Sequence, residues 1–169
     1  MPSENTVIFN QTCFIIIFFS TAALIAAFAF EYIGGLKPCS LCIYQRMPHG
    51  LAIALCIVTL VFKLSPPFTV WIFIILALTS LVGAGIALFH VGVEQQFWTG
   101  TQGCGGKIEA TSIEAFRLKL LQQPIVRCDE IVWSFFGVSM ASFNLILSTG
   151  LSFMPAYAIF KWRNTRVQP

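Results

Sequence analysis

The chain has 169 residues, of which 57% are hydrophobic and only 10% charged, with 17 phenylalanines and a formal net charge of +3; its mean hydropathy is +0.81. This excludes an ordinary soluble domain, in which about a quarter of residues are charged. What remains is an integral membrane protein with lipid as its first partner, and no nucleic-acid partner is expected of it.

Four apolar runs, at about 12–33, 43–62, 68–93 and 131–160, each meet the length of ~20 residues needed to cross a ~30 Å hydrocarbon core. The expected fold is all-α: a four-transmembrane-helix bundle forming a single domain over residues 1–169, with loops at about 34–42 and 94–130. The segment before the first run lacks Lys and Arg and carries Glu4, so it has no positive n-region and the run is read as a retained span rather than a signal peptide. Asn10-Gln11-Thr12 fits a glycosylation sequon but abuts the membrane, and is read as chance.

Helix two opens with Cys39-Ser40-Leu41-Cys42. A C-x-x-C lets two thiols meet across one helical turn and signals redox or metal chemistry. Lys37-Pro38 closes the preceding loop, and a helix starting near Cys39 directs its unpaired N–H groups and positive dipole end at the thiols, which favours a thiolate. Arg46 follows Cys42 by one turn on the same face, so its guanidinium is placed either beside the sulfur, or an anion formed next to it, or out among headgroups. Pro48 is expected to kink this helix without ending it, because a start at Pro48 leaves only about 15 residues, too few to span. His49 follows it and is a weaker polar candidate. Cys56 in mid-helix and Cys13 at the opposite membrane face read as small buried hydrophobes.

Helix three carries Ser80, Gly83, Ala84 and Ala87, and helix four Gly137, Ala141 and Ser148, small residues at helical spacing that allow close approach in lipid. His90, near the outer end of helix three, is either a hydrogen-bonded interfacial histidine or a cofactor-binding group. In the long loop, Cys104 and Cys128 bound a polar stretch. Thr111-Ser112-Ile113-Glu114 reads as a capping box, and Ile113, Phe116, Leu120 and Leu121 share one face until Pro124, which predicts a short amphipathic helix lying on the membrane. Gly103, Gly105 and Gly106 free the backbone at Cys104 to extend toward a partner, whereas Cys128 abuts helix four and stays near the surface.

An even number of crossings separates the C-x-x-C from the long loop, so both cysteine pairs face one compartment. Six basic residues lie on the cysteine side and four on the other, so count alone does not satisfy the positive-inside rule. Lys161, Arg163 and Arg166 crowd the exit of helix four, whereas the loop's basic residues are offset by acidic ones. Together with the persistence of paired cysteines in oxidising compartments, this places the cysteine loops outside the cytoplasm.

The C-x-x-C opening helix two, its flanking Ile43-Tyr44-Gln45-Arg46, a cysteine pair split across the loop between helices three and four, and Cys128-Asp129-Glu130 running into Trp133 and Phe136-Gly137 together resemble the DsbB family over nearly the whole chain. The resemblance implies an enzyme of the bacterial inner membrane, its redox-active cysteines facing the periplasm. Such an enzyme reoxidises a DsbA-like thioredoxin-fold protein and passes the electrons to a quinone, ubiquinone or menaquinone. By position, Cys39 and Cys42 become the quinone-coupled pair, Cys104 and Cys128 the partner-coupled pair, and Arg46 and His90 the quinone-binding residues, with no metal. The quinone is energetically necessary: DsbA lies near −120 mV and ordinary structural disulfides below about −300 mV, so a disulfide alone faces a gap of about 8 kcal/mol. Three alternatives belong to other classes. A vitamin K epoxide reductase-like enzyme has the reverse order of cysteine pairs, a thiolate metal-ion carrier needs more soft ligands, and a non-catalytic scaffold would use both pairs as static staples.

Overall fold

A computed structural model describes residues 4–62, 64–101, 104, 113–114 and 127–167. Four helices dominate it: α1 (Glu4–Tyr32), α2 (Ser40–Phe62), α3 (Pro66–Glu94) and α4 (Met140–Val167). All four are long and apolar enough to cross a membrane, so the chain is an all-α, multi-pass membrane protein. Large side chains such as Phe14, Phe18, Val61, Trp71 and Ile146 are exposed, as lipid-facing surfaces require.

Packing follows the small residues. α3 packs most extensively on α4, while α2 bridges α1 and α3. A Cβ added at Gly83 would lie 3.1 Å from Pro48 Cβ and 3.6 Å from Ser148 Oγ, so this glycine is where α3 touches both α2 and α4. The deep core gathers Phe9, Cys13 and Ile16 with Cys56, Phe73, Leu76 and Leu151, and Phe9 meets Phe73 edge-on at 4.8 Å. Cys13 and Cys56 are thus buried in this cluster, away from the other cysteines. A second cluster at the opposite end contains Cys39, Leu41, Val93, Cys104 and Cys128.

Two elements differ from the sequence expectation. The fourth apolar run is not one helix from 131. Ser134–Phe135 and Val138–Ser139 form a two-stranded antiparallel hairpin, here β1 and β2, and α4 begins only at Met140. Phe136 (φ 49°) and Gly137 (φ 79°) make the turn, so Gly137 serves a left-handed backbone rather than a helix interface. In contrast, α1 starts well before residue 12, because the polar Asn10-Gln11-Thr12 does not interrupt it; Thr12 Oγ1 donates to the Ile8 carbonyl at 2.9 Å. α2 begins at Ser40 and runs through Pro48 unbroken. Of the expected loop helix, Ile113 and Glu114 are helical, while Phe116, Leu120, Leu121 and Pro124 lie outside the described residues, as do the glycines Gly103, Gly105 and Gly106.

Candidate redox site

The turn after α1 sets the entry to α2. The Gly34 and Leu36 N–H groups bond back to the Ala29 and Phe30 carbonyls at 3.0 and 3.1 Å, and Gly35 takes the left-handed backbone (φ 67°) that this reversal needs. The chain then reaches Cys39 immediately before the first helical residue. Cys39 Sγ accepts the Cys42 backbone N–H at 3.2 Å, and its thiol donates to Cys42 Sγ at 2.8 Å. That side-chain bond, followed by burial, pushes the Cys39 thiol above its ordinary value, outweighing the backbone donors of Cys42 and Leu41. The shared proton therefore rests on Cys39. The helix terminus, expected to favour a thiolate at the nearer cysteine, does not decide between the two sulfurs.

The second pair comes from the long loop. After α3, the Trp98 ring folds over Gly92, where any Cβ would overlap it, and Trp98 Nε1–H donates to the Phe89 carbonyl at 2.9 Å. This reversal carries the chain back to Cys104, which is disulfide-bonded to Cys128. Both residues are buried, at 2% and 1% exposure, and Ser40 Oγ lies 3.2 Å from Cys104 Sγ. Cys104 does not extend away from the membrane as its glycine neighbours suggest; it is packed against the start of α2. Nor does Cys128 abut α4, because the hairpin intervenes. Beside Cys128, Arg127 grips Asp129 in two bonds of 3.0 and 2.6 Å and reaches Glu130 at 3.4 Å. Arg127 holds the Asp129 carboxyl below its usual range, and its own charge is spent locally.

His90 joins the two pairs. Its Nε2 lies 3.7 Å from Cys39 Sγ, and Cys39 Sγ, His90 Nε2 and Cys128 Sγ all fall within 4.8 Å of one another. Such a sulfur–nitrogen–sulfur set could hold a thiophilic metal only once Cys128 is released from its disulfide, because the thiolate is the metal ligand. The other face of His90 is bonded through Nδ1 to Gln45 Nε2 at 2.8 Å, and Glu94, held by a short bond from Ser139 of β2, sits 3.9 Å from Nε2.

A cavity of about 420 Å³ opens beside this junction, lined by Cys42, Arg46 and His49 of α2, Phe30 of α1, His90 of α3 and Asn144 of α4 among mostly apolar side chains. Arg46 lines it, as its spacing from Cys42 predicts. Its Nη1, however, is bound to Glu31 of α1 and not to sulfur, and its guanidinium stands over the Phe28 ring at 4.9 Å. Its Nε is buried with no partner among the described residues. An unpaired buried donor in an apolar cavity suits a ring bearing carbonyl oxygens, so the residues present fit a quinone headgroup.

Sequence reasoning did not single out Glu31, Gln45 or Asn144. Glu31 had a signal of its own, since an acid within an apolar span is costly and rarely idle. Gln45 had one only as part of the Ile43-Tyr44-Gln45-Arg46 run that follows the C-x-x-C, and Asn144 had none beyond its polarity.

Four membrane helices that bring a dithiol and a disulfide together on one buried histidine define a membrane thiol–disulfide oxidoreductase. Residues 9–158 match the family described as "Disulfide bond formation protein DsbB". The chain is 28% identical to "Disulfide bond formation protein B" of Xylella fastidiosa (strain Temecula1 / ATCC 700964) over 90% of this chain and 91% of that one. It is 32% identical to the protein of that description from Xanthomonas axonopodis pv. citri (strain 306), over 79% and 80%, and 28% identical to an uncharacterized protein of Rickettsia prowazekii (strain Madrid E), over 79% and 78%. The chain belongs to the DsbB family.

Proposed function

We propose that the protein reoxidises a DsbA-like periplasmic thioredoxin-fold protein and delivers the electrons to ubiquinone or menaquinone, from the bacterial inner membrane, with both cysteine pairs facing the periplasm. The observation that carries this reading is the convergence of Cys39, His90 and Cys128 within 4.8 Å. It permits exchange between the pairs without large movement of the bundle.

The partner's thiolate attacks Cys104 and a partner–Cys104 disulfide forms as the Cys104–Cys128 bond breaks, its electron pair leaving on Cys128. With Cys104 only 2% exposed, the partner must lift the loop from Ser40 to reach it. Cys128 then attacks Cys39 of an oxidised C-x-x-C, and Cys42 leaves as a thiolate beside the cavity. The partner's second thiolate resolves its bond to Cys104, so one partner dithiol becomes a disulfide. The Cys104 thiolate so released attacks Cys128, re-forming the loop disulfide as Cys39 leaves, and the C-x-x-C is left as the reduced pair seen here. His90 donates a hydrogen bond at the sulfur being exchanged, and Arg46 places a buried positive charge and a free N–H where negative charge gathers. The quinone, when bound, accepts the two electrons and two protons that the partner's dithiol gives up.

The alternatives fare less well. The C-x-x-C precedes the loop pair, opposite to the vitamin K epoxide reductase-like order. A metal carrier would need the sulfur that the Cys104–Cys128 disulfide occupies, and static staples would not need a free dithiol against a histidine. The test is purified protein with reduced partner and added quinone, following quinone absorbance. Turnover lost in Cys42→Ser supports the reading; wild-type protein that oxidises the partner yet reduces neither quinone would overturn it.

A further inference from the structure

Six hydrogen bonds link Ser20 of α1 to Cys42, crossing all four helices, and one of them fixes the direction of the rest. Asn144 Nδ2 donates to Gln45 Oε1 at 2.6 Å, which orients both amides. Gln45 then presents Nε2, which can only donate, to His90 Nδ1 at 2.8 Å. Neutral His90 must therefore carry its proton on Nε2, the nitrogen 3.7 Å from Cys39 Sγ. In the other direction, Asn144 Oδ1 can only accept, so His49 Nε2–H donates to it at 2.8 Å and His49 Nδ1 accepts from Ser20 Oγ at 3.2 Å. At the far end the Cys39 thiol donates to Cys42 Sγ at 2.8 Å. Every donor in this series points toward Cys42, and His90 also bonds the Cys128 backbone, which ties the series to the loop disulfide.

From this order we infer that Gln45 and Asn144 are positioning residues that hold His90 as an Nε2–H donor to Cys39, so that the aligned chain gathers the negative charge of the C-x-x-C pair on Cys42. Hydrogen bonds in series polarise one another in a low-dielectric interior, and a chain ending on an acceptor stabilises an anion there. Had either amide been reversed, His90 would have turned a bare nitrogen toward Cys39. The inference rests on the redox reading of the C-x-x-C. It adds that which of the two cysteines lining the cavity carries the charge is chosen by residues from different helices, Gln45 and Asn144 being 99 positions apart in sequence. Glu31 from α1, Arg46 from α2, Glu94 from α3, and Lys37, Arg127 and Glu130 from the loops also line the cavity that Cys42 faces, and all stay unchanged in the variants below.

The experiment uses full-length protein in nanodiscs with the C-x-x-C reduced and neither quinone nor partner present. 15N shifts of labelled histidines, assigned with His90→Gln, report the tautomer, and iodoacetamide modification of Cys42 between pH 5 and 9, read by mass spectrometry, reports its thiolate. Wild type is expected to show His90 protonated at Nε2. Asn144→Leu and Gln45→Leu should each mix the tautomers and cut the Cys42 thiolate fraction at a given pH by about tenfold, the low end for a hydrogen bond that favours a charged group. Ser148→Ala, which removes a 3.3 Å bond to Asn144 Oδ1 without altering the donor order, should keep wild-type values. Nδ1 protonation in wild-type His90 overturns the inference even where the leucine variants fail to fold, as does unchanged Cys42 reactivity in folded variants. Failure to reduce quinone would sink the proposed function and leave these readouts standing.

Discussion

The guanidinium of Arg46 on α2 is ion-paired with the carboxylate of Glu31 in the last turns of α1, with side-chain exposures of 17% and 22%. The cation assigned to the quinone is therefore not free; α1 neutralises it and aims it. Glu31→Gln should destabilise the bundle by about 2 kcal/mol, less than the ~3–5 kcal/mol for breaking a fully buried pair, read as a lowered thermal midpoint. Arg46→Met should raise the apparent KM for quinone several-fold and leave partner exchange intact. Quinone kinetics indifferent to Arg46→Met would reassign the pair to structure alone.

His90 touches the exchange junction as well as the cavity, so its loss should slow thiol exchange between the pairs and not only quinone binding. His90→Phe is expected to reduce the rate of Cys128–Cys39 exchange by about 10²-fold, the lower end for a positioned proton donor. Rapid-quench trapping with mass spectrometry measures it. An exchange rate equal to wild type with a raised quinone KM would confine His90 to the cofactor.

Asp129 is held below the usual carboxylate range by Arg127. A depressed folded value means that its contribution is complete above the unfolded value of about 3.9 and fades as pH falls through the folded one. Reduction of the Cys104–Cys128 disulfide by a phosphine should accordingly accelerate below about pH 4. Asp129→Asn should show the faster rate at neutral pH and lose that acid-range step. A step of equal size in the variant would point to another group.

Position, not exposure, separates the two loop cysteines: Cys128 lies within 4.8 Å of Cys39 and His90 and is placed to exchange with the C-x-x-C, which leaves Cys104 for the partner. Cys128→Ser should accumulate a mixed disulfide between the partner and Cys104, whereas Cys104→Ser should accumulate none through Cys128. Peptide mapping that found the partner on Cys128 or Cys39 would reverse the order of steps while leaving the overall reaction in place.

Topology has its own check. A membrane-impermeant maleimide applied to reduced spheroplasts should label Cys104 and Cys128, whose loop is released when their disulfide is reduced, and spare Cys13 and Cys56 in the core of the bundle. Labelling of Cys104 and Cys128 only after the membrane is permeabilised would invert the assigned orientation.

The four spans, the C-x-x-C in the first turn of α2 and the shared compartment of both cysteine pairs were all legible from residue order, because hydropathy, helix starts and crossing parity are local or topological properties of the chain. The start of α4 was not. Ile131 to Phe136 is nearly continuous in apolarity with the helix beyond it, and only the left-handed turn at Phe136 and Gly137 separates them. The partners of Arg46, His90 and Cys39 were equally out of reach. Glu31–Arg46 spans 15 positions, Gln45–His90 45, Cys39–His90 51 and Gln45–Asn144 99. Which polar side chains meet inside a membrane bundle depends on how far each helix is rotated about its axis. That rotation is set by close approaches such as Gly83 against Pro48 and Ser148, which exist only once the helices have packed.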